Sequence, residues 1–181
     1  MFAMKKLLVA LLLICVAPIP AFTSYATPAT DTETPATEAE TPKKLSEEEI
    51  IMICKWYITT LPSLDPEITQ LRLAASTAII QFAAETKKFT IDFGKPIEKL
   101  FKIGSGDSTD LFGVYIAGEV LYLLEHNQSR NDAESFAAAM DDVMNFYTKL
   151  PKQSVKSLKK YLQMDSSERR AAFIKLYNDN K

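Results

Sequence analysis

The sequence predicts an all-α fold, an irregular bundle of about six to seven helices that follows a signal peptide and a Thr/Pro spacer. Three observations lead there. Helix-start signals recur along the chain at Ser46/Glu49, Asp65-Pro66, Asn131/Glu134 and Asp165/Glu168. Between them, apolar residues return at steps of three and four. Only Phe89, Ile91 and Phe93 alternate with polar residues as a strand would, and they have no partner strand, so an extended connection is expected there.

The first element is not part of the bundle. Lys5 and Lys6 precede an uncharged run from Leu7 to Val16, which Pro18 and Pro20 close. A bilayer crossing needs about 20 apolar residues, and this run is half that length, the size of a signal-peptide core. Ser24 and Ala26 set small residues before a cleavage point, so residues 1–26 are read as a signal peptide and Thr27 as the mature start. A lipid anchor on Cys15 is the competing reading, and Ile14 opposes it because lipoprotein processing wants a small residue there. The mature chain is thus expected to be extracytoplasmic, periplasmic or secreted, with no transmembrane span.

Residues 27–44 write a heptapeptide twice and begin it again, with Pro28, Pro35 and Pro42 in register. No aliphatic residue larger than alanine occurs in it, so it cannot bury enough apolar surface to offset its ordering entropy. A disordered spacer is expected, leaving 45–181 as a single helical domain.

Within that domain Ser46 and Glu49 form a capping box for a helix to about Thr59, and Asp65 with Pro66 opens the next. The second helix carries a buried stripe of Ile68, Leu71, Ala75, Ile79 and Phe82. A short helix is expected over Pro96–Ile103, ended by Gly104, with residues 104–107 as a flexible loop. Residues 109–126, the most apolar stretch, should form the central helix. Phe136, Met140, Val143, Met144 and Tyr147 make the inner face of the helix after Asn131. Val155, Leu158, Tyr161 and Leu162 make another amphipathic piece, and Ala172, Phe173, Leu176 and Tyr177 face inward on the last helix.

Chemistry-bearing patterns are few. With one histidine and no cysteine cluster, no metal or cofactor motif is present. Gly104-Ser105-Gly106 lacks the lysine of a phosphate-binding loop. Removal of Lys5 and Lys6 leaves 19 basic and 23 acidic residues, a mature charge of −4, which argues against a nucleic-acid partner. Cys54 among isoleucines is expected to be a small buried hydrophobe and a poor partner for His126 in nucleophilic chemistry.

Two groups stand out as candidates. On the central helix, Tyr115, Glu119, Tyr122 and His126 fall in one stripe at 100° per residue, opposite an apolar face of Val114, Ala117, Leu121 and Leu124. Glu119 is the only charge between Asp110 and Glu125. Buried between tyrosines, it would have a raised pKa and could act as the general acid of a small envelope hydrolase. The second carboxylate would then come from Asp107, Asp110, Asp141 or Asp142. The favoured reading places the stripe on the outer, half-wet side of the helix.

The second group is charge asymmetry: residues 105–148 carry −7 and residues 149–181 carry +6. Lys149, Lys152, Lys156, Lys159 and Lys160 recur at steps that let most share a helix face beside Arg169 and Arg170. Such a surface would bind an anionic envelope component or an acidic protein, while the competing account has the basic tail compensating the acidic middle. The function expected is a non-enzymatic interaction module. A third alternative is a self-associating structural protein, joined through the Met- and Phe-rich segment Asp132–Leu150 with Cys54 as an intermolecular disulfide.

Overall fold

The computed structural model describes residues 44–101 and 106–180; the expected signal peptide and spacer up to residue 43, Cys15 and Gly104-Ser105 lie outside the described residues. Among the described residues, the chain from Leu45 onward forms one unit of six α-helices and a 3₁₀ turn: α1 (Glu47–Thr59), α2 (Pro66–Glu85), α3 (Lys95–Leu100), α4 (Gly106–Glu125), α5 (Ala133–Tyr147), the 3₁₀ segment Lys159–Gln163, and α6 (Ser166–Asn178). It is an irregular helical bundle. None of the described helices is long and apolar enough to cross a membrane.

Local chemistry sets the helix starts. Ser46 Oγ accepts from the Glu49 amide at 3.2 Å while the Ser46 amide donates to Glu49 Oε2 at 2.8 Å, so two otherwise orphaned donors are satisfied reciprocally. Asp65 caps α2 through the Glu67 amide at 2.9 Å, and Pro66 occupies the first turn, where its missing N–H costs nothing. Asp165 and Glu168 form the capping box of α6. At the other end of α4, Asn127 adopts φ 51°, and the Gln128 amide reaches back to the Leu123 carbonyl at 3.0 Å. Left-handed backbone of this kind ends a helix by satisfying its last carbonyls, and asparagine tolerates it.

α1 buries Ile50, Ile53, Cys54 and Tyr57, one face at helical spacing. Its C-terminal carbonyls are met by Arg72 of α2, which is only 5% exposed. The guanidinium donates to the Tyr57 carbonyl at 3.1 Å and to the Thr60 carbonyl, pairs with Asp110 Oδ1 of α4 at 3.1 Å, and lies 4.3 Å over the Tyr57 ring. One side chain therefore ties three helices together.

α4 is central. It packs most extensively on α5 and also touches α1 and α2. Gly118 permits the closest approach: a Cβ there would sit 2.9 Å from Ala139 Cα of α5, inside van der Waals contact. α5 buries one broad face, with Phe136, Met140, Val143, Met144 and Tyr147 at or near zero exposure. α6 closes the bundle against α5, packing Phe173 against Tyr161 and Tyr177 against Phe136 as tilted ring pairs, with centroids 4.5 and 5.4 Å apart.

Several expectations are corrected. Gly106 and Asp107, expected in a loop, belong to the first turn of α4. The cap of α5 is Asp132, one residue later than expected, with Ser135 completing its box. Asn131 instead clamps the 86–94 connection: its side-chain oxygen accepts from the Asp92 amide at 2.9 Å and its amide donates to the Asp92 carbonyl at 3.1 Å. Beside that clamp Thr90 and Arg130 form an isolated parallel bridge, so the alternating Phe89–Phe93 segment runs extended along the α4–α5 turn. Residues 149–158 are not helical, so the lysines of that stretch do not share a helix face.

Candidate functional site

The stripe on α4 divides in two. Glu119 and Tyr115 have zero exposure, whereas Tyr122 is half-buried and His126 lies exposed, stacked on the Tyr122 ring at 3.9 Å. The expectation of an outer, half-wet face therefore fails for Glu119 and Tyr115. Because α5, α6 and the 86–94 connection cover the side of α4 opposite Val114 and Ala117, the helix is buried nearly all round, and its one mid-helix charge is buried with it.

Tyr115 donates its hydroxyl to Glu119 Oε1 at 2.6 Å, a short bond of the kind a carboxylate makes in a dry setting. The tyrosine ring sits among Phe93, Phe101 and Phe136, with centroids 5.9 to 6.4 Å away. Ser135 and Asn131 approach the carboxyl but are committed to the backbone of Asp132 and Asp92. They lower its pKa somewhat without supplying the second oxygen, and Glu119 Oε2 has no hydrogen-bond partner. Burial is the dominant influence and pushes the carboxyl up from 4.5 to about 7, with the nearby Asp132 charge adding to the rise. Burial and the Glu119 charge likewise hold the Tyr115 phenol well above its ordinary range.

A general acid must touch its substrate, and this carboxyl has zero exposure. An open depression of about 290 Å³ is lined by Gly118, Leu121, Tyr122, Glu125, Ala138, Asp141, Asp142 and Arg170 rather than by Glu119. Its acids are largely compensated: Glu125 pairs with Lys55 at 2.7 Å, and Asp141 with Arg169 at 3.2 Å and Arg170 at 3.5 Å. Asp142 is pushed up to about 6 by burial and by Asp141 and Glu125. Of the proposed second carboxylates, Asp110 is engaged by Arg72, Asp141 and Asp142 lie in this depression, and the Asp107 side chain is outside the described residues. Among the described residues, none of the expected second carboxylates Asp110, Asp141 and Asp142 is a partner of Glu119.

Cys54 has zero exposure, and burial pushes its thiol far above the ordinary range, so it is neither a nucleophile nor an intermolecular disulfide. Phe136, Met140, Met144 and Phe146, the Met and Phe side chains of the segment Asp132–Leu150, are buried within the unit.

The basic group also divides. Arg169 and Arg170 fold back onto Asp141 and Glu134, the latter at 2.9 Å, so the tail does compensate the acidic middle at these two residues. Lys149, Lys152, Lys156, Lys159 and Lys160 are all exposed, and among the described residues none forms an ion pair. The segment that carries them, non-helical up to residue 158 and 3₁₀ from Lys159, is pinned from below. Tyr147 donates to the Val155 carbonyl at 3.1 Å, Ser157 to the Leu100 carbonyl at 2.6 Å, and Leu158 and Tyr161 are buried. Lys160 lies 4.7 Å from the Tyr161 ring centroid. The backbone is fixed while the ammonium groups stay in water, a low-entropy way to present positive charge. Among the described residues no cluster of metal-ligating side chains occurs.

Compared with known proteins, the chain matches no family model, no curated protein and no solved structure.

Proposed function

We propose that the protein is an exported, non-enzymatic interaction module whose lysine segment, Lys149 to Lys160, docks onto an anionic envelope component. One observation carries the reading. Five lysines within twelve residues stay exposed and free of carboxylate partners, while Lys55, Lys88, Lys175, Arg169 and Arg170 are each engaged by an acid. In a chain with a net negative charge, a positive strip left uncompensated is available to a partner with the opposite sign. Lys5, Lys6 and the apolar run after them support export.

The test is binding to heparin and to vesicles containing phosphatidylglycerol across a salt series. Retention should fall steeply between low and physiological ionic strength, because exposed charge pairs are screened over about 10 Å. The triple variant Lys152→Glu, Lys156→Glu, Lys159→Glu should lose retention without loss of helicity. Salt-indifferent binding, or full retention by the triple variant, refutes the proposal.

A further inference from the structure

α2 packs principally on α1 and α4, so among the described residues one side of this 20-residue helix has no neighbour. Taken at 100° per residue, Pro66, Thr69, Gln70, Leu73, Thr77, Ile80 and Ala84 fall within about 60° of one line, and all are exposed. Leu73 is 68% and Ile80 50% exposed, two of the most exposed large apolar side chains described.

The stripe contains no charge. Between Glu67 and Glu85 the only ionisable residue is Arg72, and that one is turned inward. The outer faces of the other long helices are different: α1 shows Glu48 and Lys55, α5 shows Glu134, and α6 shows Glu168 and Lys175. A solvated helix face normally carries such charges, and charge depletion around a few aliphatic residues is the compositional mark of an interface centre.

The geometry points to a second copy of this chain as the occupant: we infer that two α2 helices pair antiparallel about a two-fold axis between Ser76 and Thr77. That axis sets Leu73 of one copy against Ile80 of the other, twice, with Thr69 against Ala84 and Ser76 against Thr77. Each large aliphatic meets its counterpart, and small residues fill the spaces between them, as an isologous contact requires. No like charges are brought together along the stripe, because it has none. It is about 27 Å long, and two facing helices of that length bury on the order of 1,000 Å² in total, the lower limit for a specific contact. The result is a dissociable homodimer. This interface is separate from the lysine segment and does not depend on the docking proposal.

Sedimentation velocity over a concentration series of the purified chain tests it. The expected result is a reversible monomer–dimer equilibrium that Leu73→Glu weakens by roughly tenfold or more, as loss of a central apolar anchor does. Both residues are exposed, so circular dichroism should be unchanged. Adding Ile80→Lys to Leu73→Glu in the same chain should restore the dimer, because the two-fold sets each introduced charge against its opposite in the other copy. Parallel pairing would bring like charges together and would not show rescue. A wild-type chain that stays monomeric throughout, a dimer that survives Leu73→Glu, or failure of the double variant to recover would each overturn the inference.

Discussion

Replacing Glu119 with glutamine should make the fold more stable as pH rises, the reverse of what removing a structural carboxylate usually does. The carboxyl's pKa rises from 4.5 in the unfolded chain to about 7 in the fold. A group whose folded pKa is raised favours the native state while it is protonated. Its contribution is fully present below about pH 4.5 and is lost as pH climbs through 7, since the unfolded chain ionises first. A displacement of about 2.5 units at about 1.4 kcal/mol each amounts to about 3 kcal/mol by pH 8. No allowance for solvent screening is needed, because Glu119 has zero exposure. In a domain whose total stability is of order 5 to 15 kcal/mol this is a large share.

Glutamine is isosteric with the protonated acid. Its carbonyl can accept from Tyr115 as Glu119 Oε1 does, and its amide stands where Oε2 now has no partner. Chemical denaturation of wild type and Glu119→Gln at half-unit steps from pH 4 to 8.5 reads the effect. The two curves should nearly coincide at pH 4 and separate to about 3 kcal/mol in favour of the variant at pH 8. Taking the difference cancels the other titrating groups, Asp142 among them, which also has a raised pKa and is unchanged in the variant. A constant gap across the range would mean that Glu119 titrates normally in the fold. A variant less stable at pH 8 would mean that the ionised carboxylate is supported, and either result refutes the argument from burial.

Two other substitutions probe the packing. Arg72→Ala should cost about 3 to 5 kcal/mol in urea denaturation, because it removes the donor to two α1 carbonyls and opens the space over Tyr57. Asp110→Asn should cost less than about 1 kcal/mol, since that carboxylate is 41% exposed and water can replace the guanidinium; equal losses would contradict this division of roles. Gly118→Ala, ordinarily stabilising in a helix by up to about 1 kcal/mol, should instead destabilise by about 1 to 3 kcal/mol, because the new methyl meets Ala139 backbone at 2.9 Å. An unchanged or raised melting temperature for that variant would show that α4 and α5 can separate freely.

How far the fold could be read in advance depended on the range of the interactions that set each element. Ser46/Glu49, Asp65-Pro66 and Asp165/Glu168 act within one turn, and their helices begin where those residues predict. Asn131 looks like a cap by the same local rule, yet its side chain is taken by Asp92, 39 residues away, and Asp132 caps α5 in its place. The lysine spacing from 149 to 160 fits a helix, but Pro151 and the bonds from Tyr147 and Ser157 hold the backbone in a non-helical path. Arg72 gave no signal beyond being the lone charge inside α2, and that signal has the same form as Glu119 on α4.

The two lone charges share a physical reading that amphipathic periodicity does not supply. Amphipathic periodicity presupposes a wet side on each helix, where any charged residue would fall. α4 has no wet side over its middle turns, and α2 turns its uncharged side outward and its arginine inward. In both helices, the informative feature is a stretch of about fifteen residues with a single charge, which marks a surface built to be covered. For α4 the covering comes from α5, α6 and the 86–94 connection, and the buried carboxyl bears the cost as a raised pKa. For α2 nothing among the described residues covers the corresponding face, and a second copy meets the same requirement from outside.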